Sequence, residues 1–192
     1  MDGTAPATTG PDWNRLYEIA AAQEGLFTTA QAAEAGYYPQ LLVKYLRNQR
    51  VIRIRRGVYR LVHFPAGEHE DLVTIWLWTE RIGVLSHETA LALHGLSDVM
   101  PAKVHLTLPE AWRARRLRVP KGVVLHFADV PKADRAWAGS VPVTTPVRAL
   151  RDCASAGVSP ETVRKAIRDA VARGLVGRSE VAAIRRTARG AA

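Results

Sequence analysis

The feature that most constrains the fold of this chain is a change of hydrophobic period within residues 25–62. Up to residue 47 the apolar residues recur every three or four positions, which is typical of one face of a helix. From Val51 onward apolar residues alternate with arginines, which is typical of a strand with two different faces. This change of period predicts helices followed by a β-hairpin.

Two short helices are predicted before the hairpin. Thr28 or Thr29 can cap the first, because a threonine oxygen accepts one of the unpaired N–H groups of a first turn. Gly36 is placed to end that helix. The second begins near Pro39, where a missing N–H is harmless.

The second helix is amphipathic. Its apolar face consists of Leu42, Tyr45 and Leu46, spaced at i, i+3 and i+4. A different face, predicted to point outward, carries Gln40, Val43, Lys44 and Arg47. This arrangement predicts a helix with one side buried in a core and another side exposed and free to contact a binding partner.

The hairpin follows at once. Arg56-Gly57 supplies a turn between a strand from Val51 and a returning strand, residues 58–62. In the first strand we expect Ile52 and Ile54 to pack inward while the arginines face outward. Two helices followed by such a hairpin indicate a winged helix-turn-helix.

Charge in this stretch is one-sided. Between Lys44 and Arg60 there are seven basic residues and no acidic one, within a chain of net charge +9. A helix that fits a major groove, followed by a cationic hairpin, suits DNA. A solvated basic surface is the simpler alternative. The predicted DNA-binding residues are Thr28, Thr29, Tyr38, Gln40, Lys44, Arg47, Arg50, Arg53, Arg55, Arg56 and Arg60.

The predicted fold class is α+β, with a winged helix-turn-helix domain and a mixed α/β C-terminal domain. Residues 1–11 are expected to be a disordered tail, residues 12–65 the first domain and residues 66–192 the second. Asp12 can cap a helix before the two described above. In the second domain, helices are predicted over 68–81 and 87–94 and from residues 145, 159 and 179, and strands over 102–108 and 123–127.

No catalytic, cofactor or metal site is predicted. None of the five lysines has an acidic residue two positions before it, so the Asp/Glu-x-Lys signature of restriction-type nucleases is missing. No glycine-rich phosphate loop is present. His87 and His94 share a helical face, but a packed or hydrogen-bonded pair explains them better than a metal site without a third ligand. The one cysteine, Cys153, is expected to be a buried thiol.

A cytoplasmic location is expected. The sequence has no 18-residue apolar run, which predicts no membrane partner. Its first residues lack a positive segment followed by an apolar block, so no signal peptide is expected.

Several segments resemble a known family. They are RRGVYRL (55–61), SHETALALHGL (86–96), VHLTLP (104–109) and VPVTTPVRALRDCA (141–154). In this order they resemble AbiEi-type antitoxins, regulators of type IV toxin–antitoxin operons. One departure is Asn48-Gln49, where many relatives have glycine between the second helix and the wing.

The resemblance implies a sequence-specific DNA-binding repressor of its own operon. It also implies an antitoxin role against a nucleotidyltransferase-like toxin, through the C-terminal domain. The alternative is a protein-interaction module that neutralises an acidic toxin by direct contact, with DNA binding secondary. The basic run from Arg113 to Lys121 fits either a second phosphate-contacting surface or a solvated loop.

Overall fold

The computed structural model describes residues 10–96 and 101–190 of the chain. These residues form two compact units, which divide between Glu80 and Arg81. Each unit combines helices with its own sheet, so the predicted α+β class is confirmed. Residues 1–9, most of the predicted tail, lie outside the described residues.

The first unit is a winged helix-turn-helix with one further helix. Its elements in chain order are α1 (Trp13–Ala21), β1 (Leu26–Thr28), α2 (Thr29–Glu34), α3 (Pro39–Arg47), β2 (Val51–Arg55), β3 (Val58–Leu61) and α4 (Glu70–Trp78). The three strands form an antiparallel sheet in the order β1-β3-β2. Strand β1 was not predicted, because three residues are too few to show an alternating pattern.

The helix starts in this unit follow the predicted capping chemistry. The Asp12 carboxylate accepts a hydrogen bond from the Arg15 N–H at 3.0 Å. Thr28, rather than Thr29, caps α2, and its hydroxyl accepts from the Gln31 N–H at 3.2 Å. Gly36 follows α2 with φ of +82°, a conformation that favours glycine. These local signals position the first two helices of the motif.

The core of the unit lies between its helices and the sheet. It contains Leu16 and Ala20 from α1, Phe27 from β1 and Leu42 from α3, each at most 2% exposed. Val51 and Leu61, which are opposite one another in β2 and β3, close the other side. The hairpin is therefore attached to the helices through the base of its strands.

A buried pair of glutamines joins α1, β1 and α2. Gln31 donates from Nε2 to Gln23 Oε1 at 2.9 Å, and its own Oε1 accepts from the Thr28 N–H at 2.9 Å. Gln23 Nε2 also donates to the Leu26 carbonyl at 3.0 Å. Both side chains are buried, so each polar atom depends on these partners.

Replacing Gln31 by leucine should lower the free energy of unfolding by about 1–3 kcal/mol, because it leaves buried polar partners unpaired. Urea denaturation followed by circular dichroism measures the change. The double variant Gln23→Leu/Gln31→Leu should cost less than the sum of the two single variants. If the losses of unfolding free energy in the two single variants add up to the loss in the double variant, the two amides are not coupled.

The helix after the hairpin differs from its prediction. A helix over 68–81 was expected in the second domain, whereas α4 lies in the first unit and packs on β1 and β3. Glu70 at its start forms a salt bridge with Arg60 of β3, at 2.8 Å. Because this helix is apolar on nearly every side, its sequence did not show which sheet it would cover.

The second unit is built on a five-stranded mixed sheet. Its elements are β4 (Val84–Leu85), α5 (His87–Leu93), β5 (Val104–Leu108), β6 (Val123–Phe127), β7 (Arg135–Ala138), β8 (Val141–Thr144), α6 (Pro146–Ser155), α7 (Pro160–Ala172) and α8 (Arg178–Gly190). The strand order is β6-β5-β4-β8-β7, with β5 parallel to β6 and β4 parallel to β8. Helix α5 packs on β5 and β8, and α6 packs on α5, α7 and α8.

The predicted helix starts at residues 145 and 159 are confirmed. Thr107 of β5 is 3% exposed, because α5 covers that side of the strand. Cys153 is fully buried, as expected.

Within residues 10–96 and 101–190, no helix combines the length and the apolar character that a membrane crossing requires.

Candidate nucleic-acid interface

Helix α3 presents one polar face to solvent. Gln40, Val43, Lys44 and Arg47 are all exposed, as the helical spacing predicted. On the other side Leu42 is 2% exposed, and Tyr45 and Leu46 pack against the core. The helix therefore has an anchored side and a side available to a major groove.

The exposed face combines three kinds of contact. The Gln40 amide can pair with adenine, and the Lys44 ammonium can donate to guanine. Val43, which is 44% exposed, offers an apolar side chain between them that suits a thymine methyl group. These residue types suit the reading of base edges as well as phosphate binding.

Aromatic packing holds α3 against α1. The Tyr45 ring stacks on Trp13, with ring centroids 5.7 Å apart, and meets the buried Tyr37 ring edge-on at 5.2 Å. The Arg50 guanidinium lies over the Tyr45 ring at 5.8 Å from its centroid. Tyr38, at the start of the helix, is 62% exposed. The inner residues of α3 therefore hold the helix against α1.

The wing turns tightly at Gly57, whose φ is +80°. The Gly57 carbonyl accepts a hydrogen bond from the Thr29 N–H at 3.0 Å, and the Thr29 hydroxyl lies 3.5 Å from the same oxygen. The start of α2 is therefore tied to the tip of the wing. Thr28 and Thr29 are half-buried, and both have these structural contacts in addition to their predicted role.

The arginines of the wing differ in their freedom. Arg53 and Arg56 are exposed, whereas Arg55 is half-buried and its Nη1 is buried with no hydrogen-bond partner among the described residues. A bulge between Arg53 and Arg55 shifts the register of the hairpin at this point. The two exposed guanidinium groups are the ones available to phosphates.

The expectation that Ile52 and Ile54 pack inward is wrong, since they are 43% and 42% exposed. Val51 is the residue of β2 that enters the core, and Ile52 follows it on the opposite face of the strand. Val51 alone of the β2 residues is buried, and β2 is one of the two edge strands of the sheet. The prediction therefore placed the wrong face of β2 against the core.

Arg60 was grouped with the DNA-binding cations, but the structure engages its guanidinium elsewhere. It pairs with Glu70 and donates to the Phe64 carbonyl at 2.9 Å. Its side chain is only 13% exposed. Within the described part of the chain, none of the six other cations of this surface forms a salt bridge: Lys44, Arg47, Arg50, Arg53, Arg55 and Arg56.

The second unit carries basic residues of its own. Arg113 is held by Glu110 and by the Phe127 carbonyl, and the Arg115 guanidinium lies 3.9 Å from the centroid of the Trp112 ring. Arg116 and Arg118 are exposed. The predicted basic run therefore contains arginines with structural contacts as well as exposed ones.

A family model matches the first unit. The model is described as "Transcriptional regulator, AbiEi antitoxin", and it matches residues 14–62. Those residues include α1 from its second residue, the helix-turn-helix, the wing and every residue of the surface described above. A search of curated proteins found no match.

Among solved structures, the chain is similar to the crystal structure of the RV2827C protein from Mycobacterium tuberculosis. The two share 19% sequence identity with a TM-score of 0.48, over 83% of this chain. This chain covers 64% of that one. The expected resemblance is confirmed for the N-terminal segment: residues 14–62 match the AbiEi antitoxin family of transcriptional regulators.

Proposed function

We propose that this protein is a sequence-specific DNA-binding transcriptional regulator. The observation that carries the proposal is the exposed face of α3, where Gln40, Val43, Lys44 and Arg47 lie opposite an anchored apolar side. The exposed arginines Arg53 and Arg56 of the adjoining wing supply charge for the DNA backbone. Binding of this kind requires no catalytic residue and no cofactor, and we propose that the protein performs it in the cytoplasm.

The finer role follows the matched family. We propose that the protein represses its own operon and acts as the antitoxin of a nucleotidyltransferase-like toxin. The support is the match of residues 14–62 to regulators described as AbiEi antitoxins. The alternative, an interaction module that contacts an acidic toxin surface, is favoured by the same unpaired cations. DNA binding and toxin binding can be distinguished, because only DNA binding depends on base sequence.

Replacing Lys44 by alanine should change sequence preference as well as affinity. A good contact to a base edge contributes about 1–3 kcal/mol of discrimination, and Lys44 is exposed at the middle of the α3 face. Selection of bound duplexes from a random pool, for the wild type and the variant, measures the change at each base position.

The matched control is Lys132→Ala, which removes one exposed lysine from the second unit. It should leave the selected sequence unaltered. If Lys44→Ala weakens every duplex equally and selects the same sequence as the wild type, Lys44 contacts phosphate and its proposed role is wrong.

Removing the two free charges of the wing should flatten the salt dependence of binding. The variant Arg53→Ala/Arg56→Ala is expected to lose about one unit of log–log slope for each phosphate contact removed. Fluorescence anisotropy with a labelled duplex, over a range of salt concentrations, gives the slope. The double variant Arg15→Ala/Lys132→Ala removes the same number of positive charges as the wing variant and should keep the wild-type slope. An unchanged slope in the wing variant would mean that the wing points away from DNA.

A further inference from the structure

Three histidines of the second unit converge at one place. His87 is the first residue of α5, His105 lies in β5 and His126 lies in β6. One ring nitrogen of each lies within 4.8 Å of the other two. His105 Nδ1 and His126 Nε2 are 3.0 Å apart, and the ring centroids of His87 and His126 are 3.5 Å apart. We call these three residues the histidine cluster.

The strand register brings the cluster together. β5 and β6 are adjacent and parallel, with Thr107 opposite His126. His105 is two residues before Thr107, so its side chain lies on the same face of the sheet as that of His126. Helix α5 covers that face, and its Thr89 hydroxyl accepts a hydrogen bond from the His105 N–H at 2.9 Å. The sequence suggested that His87 pairs with His94. His94 Nε2 instead lies 2.7 Å from the Thr144 carbonyl.

Side chains around the cluster orient two of its rings. Glu88 Oε2 lies 3.4 Å from His105 Nε2, and Ser86 Oγ lies 2.9 Å from His87 Nδ1. Ser86 sits at the helix start, but its hydroxyl makes no capping bond and instead accepts from Thr107 at 2.7 Å. When the outer nitrogens donate to Glu88 and Ser86, His105 Nδ1 and His87 Nε2 carry the lone pairs. Metal-binding histidines are commonly oriented in this way.

The environment keeps the imidazoles neutral, which is the form that binds a metal. Burial lowers the pKa of His87 to about 3 and that of His126 to about 4. Burial lowers the pKa of His105 as well. His87 also has a φ of +51°, an uncommon conformation for a residue other than glycine, of a kind that concentrates at functional sites.

We propose that the histidine cluster binds one zinc-type divalent transition-metal cation. Imidazole nitrogens suit Zn²⁺, Ni²⁺ and Cu²⁺ far better than Mg²⁺ or Ca²⁺. A tetrahedral zinc ion separates its nitrogen ligands by about 3.4 Å. His105 and His126 are already near that separation, and side-chain rotation of His87 has to bring its nitrogen closer.

The fourth coordination position would face a groove of about 400 Å³. The groove is lined by His87 and His126 and also by Arg148 and Asp152. Asp152 Oδ2 is buried and accepts no hydrogen bond from the described residues. Three histidines with a free position beside a groove form a site that admits water or an incoming ligand as the fourth partner.

Isothermal titration of the full, tag-free chain with ZnCl₂, after treatment with a chelator, tests the proposal. We expect one saturable site per chain. Glu88→Gln should weaken binding by about 10–100-fold, because Glu88 orients His105 without touching the metal. His126→Gln should weaken it more strongly. The control His63→Gln removes an exposed histidine of the first unit and should leave the affinity unchanged.

X-ray absorption of the zinc-loaded wild type gives a second measurement that needs no variant to fold. We expect about three imidazole ligands at about 2.0 Å. Two results would overturn the proposal: no saturable binding by the wild type, or binding equally weakened by His63→Gln and by Glu88→Gln. In either case His126 donates its Nε2–H to His105 Nδ1, and the cluster is a hydrogen-bonded group only.

Discussion

Replacing Arg148 by methionine is expected to lower the free energy of unfolding by about 3–5 kcal/mol near neutral pH, because it leaves two partly buried carboxylates without their cation. Arg148 Nε donates to Asp152 at 2.8 Å, and Nη1 donates to Asp134 at 3.0 Å. The arginine thereby joins α6 to the segment just before β7. Urea denaturation followed by circular dichroism measures the loss.

The loss should shrink as the pH falls. Burial raises the pKa of Asp152 even beside Arg148, and removing the arginine raises it further. A carboxyl group whose folded pKa is raised destabilises the fold above that pKa and ceases to do so once it is protonated. The variant should therefore recover part of its stability as the pH falls from neutral toward the ordinary pKa of an aspartate, about 4.

The control for Arg148 is Arg164→Met, since Arg164 is exposed on α7. It should change the free energy of unfolding by less than about 0.5 kcal/mol. A similarly small effect of Arg148→Met would contradict the argument, because it would mean that the two carboxylates remain hydrated in the folded chain.

Replacing Phe27 by alanine is expected to cost about 3–5 kcal/mol and to abolish DNA binding. The Phe27 ring is fully buried between the helices and the sheet, with its centroid 5.8 Å from that of Tyr59. A unit of this size has little stability to spare. Without this ring, α3 and the wing should no longer be held in a fixed position relative to one another.

Phe27→Leu is the matched control, because it keeps most of the buried volume and should cost less than about 1.5 kcal/mol. Its DNA affinity should stay close to that of the wild type. Unimpaired binding by Phe27→Ala, with its unfolding free energy lowered, would show that α3 alone holds the DNA.

The parts of the fold that could be predicted from the sequence rest on local chemistry. Pro39 and Gly57 mark a helix start and a turn through their own backbone preferences. Asp12 and Thr28 cap helices through bonds to residues three positions later. Such signals need no knowledge of distant residues, and they outlined the helix-turn-helix and the hairpin.

The parts that could not be predicted depend on distant partners. Arg60 appeared to be a free cation because its partner, Glu70, belongs to a helix that had been assigned to the other domain. The short strands β1, β7 and β8 exist through their neighbours in the sheets, and their sequences show no clear period. Ile52 and Ile54 alternate as expected, but only packing decides which face of a strand is buried.

The histidine cluster was missed for the same reason. Its members are 18 and 21 positions apart along the chain. Only the parallel register of β5 and β6, together with α5 above them, brings the three rings to one place. In the sequence, His87 shares a helical face with His94 and gives no sign of its two partners in the strands.

The most direct test of the account is a DNase footprint of the full chain on the DNA upstream of its own gene. We expect protection of a discrete stretch that includes at least one half-site of about ten base pairs, at protein concentrations that leave unrelated DNA unprotected. The Lys44→Ala protein should lose or move that protection. Equal protection of unrelated DNA, or no protection at any concentration, would contradict the proposal that α3 reads an operator.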